Sequence, residues 1–211
     1  MSGTAAETGG RNRESKEDAV KVLGIVCSPR RGGNTEILMR EALKAVEEAG
    51  GETRLCLLSE MDVQPCDACG ACWKTGKCKI DDDMQQIYAH LLEADGLIFG
   101  TPVYFVNMSA QAKAVIDRTY VLLGNGKLRG KVAAALVAVR RVGGSQVLGL
   151  LYSYFNVQRM VIAGGGIGYG REKGDVNRGT GGSPVFTALE EAHAVGRSVA
   201  RMIERLGPAP P

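Results

Sequence analysis

Val20-Lys21-Val22-Leu23-Gly24-Ile25-Val26-Cys27 runs directly into Ser28-Pro29-Arg30-Arg31-Gly32-Gly33-Asn34-Thr35. The first eight residues are apolar at nearly every position, the pattern of a strand buried on both faces of a parallel sheet. The next eight are rich in turn formers. Beyond them Leu38, Ala42, Ala45, Val46 and Ala49 recur at spacings of four, three, one and three, which is one helical stripe. Gly50-Gly51 stops it. A buried strand, a tight turn and an amphipathic helix, in that order, make the opening unit of an α/β fold.

The same alternation continues along the chain. Strands are predicted over residues 53–58, 95–101 (ended by Pro102), 132–139 and 160–163. Asp81, Asp82 and Asp83 supply acidic groups where a helix with Met84, Ile87, Leu91 and Leu92 on its apolar side should start. Further helices are predicted from Ser109, with Ala112, Val115, Ile116 and Thr119 inward, over residues 145–155, and from about Pro184, with Leu189, Ala192, Val199 and Ile203 inward. Residues 164–182 read as a long glycine-rich loop. Five short strands alternating with helices predict a doubly wound, five-stranded parallel sheet in the order 2-1-3-4-5, with right-handed crossovers and both faces covered. Ligands bind such sheets at the carboxyl ends of the strands, where the order reverses. The loops after strands one, three and four are therefore the candidates for function.

Composition bounds the alternatives. In 211 residues, 45% hydrophobic and 23% charged side chains describe a globular chain, and a net charge of +3 is too mild for a nucleic-acid partner. There is no apolar run long enough for a membrane span and no secretory pattern, so a cytoplasmic protein with no membrane partner is expected. Residues 1–18 and 208–211 read as tails, and 19–207 as a single domain.

The turn after strand one lacks both the dinucleotide fingerprint and the Gly-Lys-Ser/Thr of a Walker loop. It offers the hydroxyls of Ser28 and Thr35, the Asn34 amide, the amides of Gly32 and Gly33, and the charges of Arg30 and Arg31, all at a helix N-terminus. That set suits a terminal phosphomonoester; Asn34 or Thr35 could equally be an ordinary helix cap. After strand three, Pro102, Val103, Tyr104, Phe105 and Asn107 form a rigid, partly aromatic surface on which a flat ring could rest. After strand four, Gly143 and Gly144 follow Arg140 and Arg141 and expose amides to an electron-rich or anionic partner. Asn107-Met108-Ser109 matches a glycosylation sequon only formally, since nothing suggests export.

Cys66, Cys69, Cys72 and Cys78 lie in one short segment between strand two and the next helix, while Cys27 and Cys56 fall in strands and read as small core residues. In a reducing compartment such a cluster points to metal rather than disulfides. Paired-cysteine zinc sites separate their pairs by longer stretches, whereas Cys-x2-Cys-x2-Cys is the opening of ferredoxin cluster loops. Gly70 and Gly76 let the backbone turn around such a group. An iron-sulfur cluster ranks first, one per chain, with zinc and unligated redox thiols as alternatives. His90 and His193 sit on predicted helices without a partnering motif and are not assigned to catalysis.

Ser-Pro-Arg-x-x-Gly-Asn-Thr after strand one, Thr-Pro-Val-Tyr-Phe-x-Asn-x-Ser-Ala-Gln-x-Lys-x-x-x-Asp-Arg after strand three and Gly-Gly after strand four together resemble the NADPH-dependent FMN reductase and iron-sulfur flavoprotein family, over roughly residues 20–206. The resemblance implies a flavodoxin-like fold and non-covalent FMN. It implies a phosphate held by Ser28, Arg30, Asn34 and Thr35, a ring and ribityl chain bordered by Pro102, Val103, Tyr104, Phe105 and Asn107, and a Gly143-Gly144 loop over the ring edge. It further implies a 4Fe-4S cluster on Cys66, Cys69, Cys72 and Cys78. Arg140-Arg141-Val142 departs from the smaller residues expected before the glycines. The implied activity is electron transfer between a reduced donor, such as ferredoxin or NAD(P)H, and an acceptor, in a homodimer or homotetramer. A cluster-free NAD(P)H-dependent FMN or quinone reductase, and a non-enzymatic metal-binding or thiol redox-sensing module, are the rival readings.

Overall fold

The computed structural model describes residues 19–178 and 187–207. Both tails, and the expected start of the last helix at Pro184, lie outside the described residues. The elements are β1 (Lys21–Val26), α1 (Asn34–Glu48), β2 (Glu52–Leu57), α2 (Ala71–Thr75), α3 (Met84–Glu93), β3 (Gly96–Tyr104), β4 (Asn107–Met108), α4 (Ala110–Arg118), α5 (Tyr120–Leu123), β5 (Val132–Val139), α6 (Gly144–Val157), β6 (Val161–Tyr169) and α7 (Ala188–Leu206). The long strands pair in parallel in the order β2-β1-β3-β5-β6. That is the doubly wound order expected for five strands.

The strands that are buried throughout explain why the pattern is readable. From Val22 to Val26 every residue of β1 is buried, as is all of β5. Helices on both faces exclude water from the sheet and favour an unbroken apolar run there. One core cluster joins Leu23, Ile25 and Phe99 to Ile87 of α3, Val115 of α4 and Phe155 of α6. The other joins Val22, Val26 and Ile98 to Leu38 and Val46 of α1 and Val199 and Ile203 of α7. Cys27 and Cys56 are buried core residues, and burial raises both thiols above their ordinary range. Such thiols are inert packing groups.

Several boundaries move. β3 continues through Pro102 to Tyr104 and turns back into the short antiparallel β4, pairing Val103 with Met108 and Tyr104 with Asn107. Pro102 is tolerated because the parallel pairing with β5 ends at that residue. β6 extends from Val161 to Tyr169, so residues 164–169 of the expected glycine loop are strand. A Cβ at Gly165 would lie 2.7 Å from Leu148 of α6, and one at Gly168 would lie 2.7 Å from Leu38 of α1. The glycines therefore let helices press on this edge strand from both faces, and a register shift opposite Ala133/Ala134 hides its alternation. Leu92 of α3 and Ala49 are exposed rather than buried, and Tyr88 takes a core place on α3.

Candidate functional site

The turn after β1 is built on buried side chains. Ser28 is buried and its Oγ accepts from the Arg30 amide at 3.2 Å, an ST-type turn that pins the loop. Thr35 is buried in the first turn of α1, whose cap is Gly33 without a side-chain bond. Neither Asn34 nor Thr35 caps the helix. Glu36 takes one of the amides expected to be free: the Gly32 N–H donates to its carboxylate at 2.6 Å, and Arg40 Nε donates at 2.9 Å. Burial would raise the Glu36 pKa, but these bonds outweigh it and hold the carboxyl below its ordinary range. Arg31 turns away to pair with Glu60.

A cavity of about 320 Å³ opens at the carboxyl ends of the central strands. Ser28, Arg30, Asn34 and Thr35 line one side, and Pro102, Val103 and Tyr104 another. Two segments far apart in sequence thus meet around one space, where the order reverses. Arg140, one of the two cations expected in the loop after strand four, stands at the end of β5 and joins the lining; the loop Gly170, Arg171, Glu172, Lys173 after β6 was not anticipated. Asn34 ties that loop down, its Nδ2 donating to the Glu172 carbonyl at 2.9 Å and its Oδ1 accepting from the Gly174 amide at 2.8 Å. A charged run after a glycine-rich stretch gives no periodic signal, so only the recognition that β6 ends there could have found it.

The hairpin beside the cavity is strained. Phe105 and Val106 form its turn with φ of 49° and 61°, a primed geometry that favours Asn-Gly. A β-branched residue in that region is uncommon and costs free energy. Phe105 is fully exposed. Asn107 does not line the cavity, and its Oδ1 accepts from the Met108 amide at 2.8 Å. Gly143, at φ 96°, backs onto the hairpin: a Cβ there would lie 3.0 Å from both Val103 Cγ1 and Val106 Cα. Gly144 is buried against Ile167 instead. At the hairpin's base, buried Ser109 donates to the Cys27 carbonyl at 2.5 Å and caps α4 by accepting from Ala112 N at 3.1 Å. This fixes the loop after β3 to the end of β1.

The four clustered cysteines line a second cavity, of about 600 Å³, together with Trp73, Tyr120 and Arg118. Cys66 and Cys69 are exposed and Cys72 and Cys78 half-buried. Gly70 and Gly76 flank α2 at φ 70° and 68°, as the turning of the segment requires. Asp67 pairs with Lys79 at 2.9 Å across the segment, and that bond holds its carboxyl down at about 2. Among the described residues no three His, Cys, Asp or Glu side chains stand close enough to hold a metal ion as placed. The thiols share a space without forming a closed ligand set. Four soft donors around one cavity nevertheless suit a soft metal or cluster. His90, beside Arg54, and His193, paired with Glu48 at 2.8 Å, belong to neither cavity. No helix among the described residues is long and apolar enough to cross a membrane.

The sheet order and the cavity at its switch point define a flavodoxin-like fold. The chain belongs to the NADPH-dependent FMN reductase family, whose model matches residues 20–172. An iron-sulfur flavoprotein of Methanocaldococcus jannaschii is 38% identical over 195 residues, covering 88% of this chain and 98% of that protein. Another, of Methanosarcina thermophila, is 40% identical over 148 residues, covering 69% of this chain and 78% of its own length. Among solved structures, RosB with bound 8-demethyl-8-formylriboflavin-5'-phosphate aligns with a TM-score of 0.70 at 18% identity, covering 89% of this chain and 81% of its own. An NADH:FMN oxidoreductase in its apo form aligns at 0.64 and 17% identity, covering 91% and 92%. At those identities the structures bear on the fold alone.

Proposed function

We propose that the protein is an FMN-containing iron-sulfur flavoprotein that passes electrons between a reduced donor, such as ferredoxin or NAD(P)H, and an acceptor. One observation carries this reading: a single chain lines one cavity with a phosphate-suited turn and another with all four clustered cysteines. In the first, Ser28, Arg30 and Thr35 surround the FMN phosphate, and Asn34 anchors the neighbouring loop that closes the site. Pro102, Val103 and Tyr104 border the ring and ribityl chain, Phe105 and Asn107 belong to the hairpin outside the cavity lining, and Gly143 backs onto that hairpin. In the second, Cys66, Cys69, Cys72 and Cys78 hold a 4Fe-4S cluster. The cofactors supply the redox chemistry, and the protein binds, orients and shields them.

The two cavities share no lining residue, and the cysteine cavity is rimmed by exposed Trp73 and Val157. Both facts favour a homodimer or homotetramer in which the cluster of one subunit meets the flavin of the next. The test is an anaerobic reductive titration with dithionite. Electron uptake beyond the pair that FMN accepts supports the reading. Uptake that stops at the flavin pair favours a cluster-free reductase of flavins or quinones.

A further inference from the structure

Arg118 ends α4 with its side chain buried. Its Nη1 donates to the Gln64 carbonyl at 2.9 Å and to Asp82 Oδ2 at 2.7 Å. Its Nη2 donates to Asp82 Oδ1 at 2.9 Å and to the Ile80 carbonyl at 3.3 Å. Gln64 stands just before Cys66 and Ile80 just after Cys78. One side chain therefore grips both stems of the segment that carries all four thiols. The clamp is anchored in turn: Asp82 accepts from the amides of Gln64 at 2.9 Å and Met84 at 3.1 Å, and Tyr88 of α3 donates to the Arg118 carbonyl at 2.8 Å.

A second observation concerns what is left over. Arg118 Nε and Tyr154 Oη are the two buried side-chain polar atoms without a hydrogen-bond partner among the described residues, and both residues line the cysteine cavity. A buried donor without a partner is costly, and native structures seldom keep one without a use. Four of the five guanidinium N–H groups are committed to the stems and Asp82; the fifth, buried on a residue that lines the same cavity as the thiols, has no partner.

We propose that Arg118 is the positioning residue of the metal site, closing the 66–78 segment around its cavity before metal binds and offering Nε–H to the anionic thiolate-ligated group held there. The inference rests on reading the four cysteines as ligands. Residues that orient metal ligands typically change metal affinity by about 10–100-fold when replaced. Arg118→Lys keeps the charge but cannot span both stems and Asp82.

The test uses the full chain, as wild type, Arg118→Lys and Arg118→Met, reconstituted anaerobically with ferrous iron and sulfide. Arg118→Lys should lose iron to a chelator about tenfold faster than wild type or worse. In the metal-free protein its amides over residues 64–82 should exchange faster, and the cluster that remains should have a lower reduction potential. FMN affinity should match wild type, because Arg118 is not in the FMN cavity. Equal iron retention in wild type and Arg118→Lys overturns the inference, and so does FMN loss in step with iron loss, which marks a general fold determinant. If Arg118→Met does not fold, Arg118→Lys decides alone. A wild type that takes up no iron removes the cysteine reading and this inference together, whereas iron held equally by the variant removes this inference only.

Discussion

Thr35 is buried in the first turn of α1, at the helix end where backbone amides and the dipole attract an anion. Thr35→Val keeps its shape and removes one donor. FMN should then bind more weakly by about 1–2 kcal/mol, while riboflavin, which lacks the phosphate, should bind as before. Fluorescence titration of both ligands checks this, and equal losses would remove Thr35 from the phosphate site. Asp82 carries the second prediction at this scale. Burial favours its neutral form, but the Arg118 bonds and two backbone amides prevail and its carboxyl is held below the ordinary range. A carboxylate depressed in the folded state contributes stability that is full above its unfolded pKa and is lost as pH falls through the folded value. Wild type should therefore lose melting temperature below about pH 4 more steeply than Asp82→Asn, and the variant should be less stable at pH 7 by about 3 kcal/mol. Parallel melting curves against pH would contradict the pair. Arg118 closes the motif after strand three, but its role was illegible in the sequence. An arginine at the end of an amphipathic helix reads as a solvated C-terminal charge, and only the fold brings Asp82 and the cysteine stems to it.

At the scale of elements, the turn of the β3–β4 hairpin stores strain beside the cavity at the switch point. Val106→Asn replaces a β-branched residue at φ 61° with one that tolerates the left-handed region, and should stabilise the cofactor-free protein by about 1 kcal/mol. Thermal unfolding measures this; an unchanged or lower melting temperature would show that packing against Gly143 outweighs the strain. The cysteine segment is a separate element, and Cys72→Ser should abolish or destabilise its cluster because serine is a poorer ligand for iron than a thiolate. FMN should remain bound. Unchanged iron content would be fatal to that ligand. The elements legible in the sequence were those whose burial is nearly uniform: β1 beyond Lys21 and all of β5 are apolar and announce a parallel sheet. β6 was lost beyond Ala163 because its glycines, which serve helix packing, look like a loop. The β4 return was lost because a two-residue strand has no period to read.

Across the whole molecule, the first-strand turn and the loop after strand three were rightly expected to converge, because the doubly wound order dictates it. The loop at residues 170–173 completes the same cavity without any sequence signal of its own. Two cavities with no common wall put the proposed flavin site and the thiols on different parts of one subunit. The exposed aromatic and apolar rim near the thiols is the surface on which the proposed association would bring the two proposed centres together. The proposed electron transfer requires both centres in one protein. The most direct measurement is the visible spectrum of anaerobically purified protein, with FMN, iron and acid-labile sulfide assayed on the same sample. The expected result is flavin bands on a broad iron-sulfur absorbance, with iron and sulfide in equal amounts. Flavin bands alone, with iron and sulfide absent after anaerobic reconstitution, would contradict it.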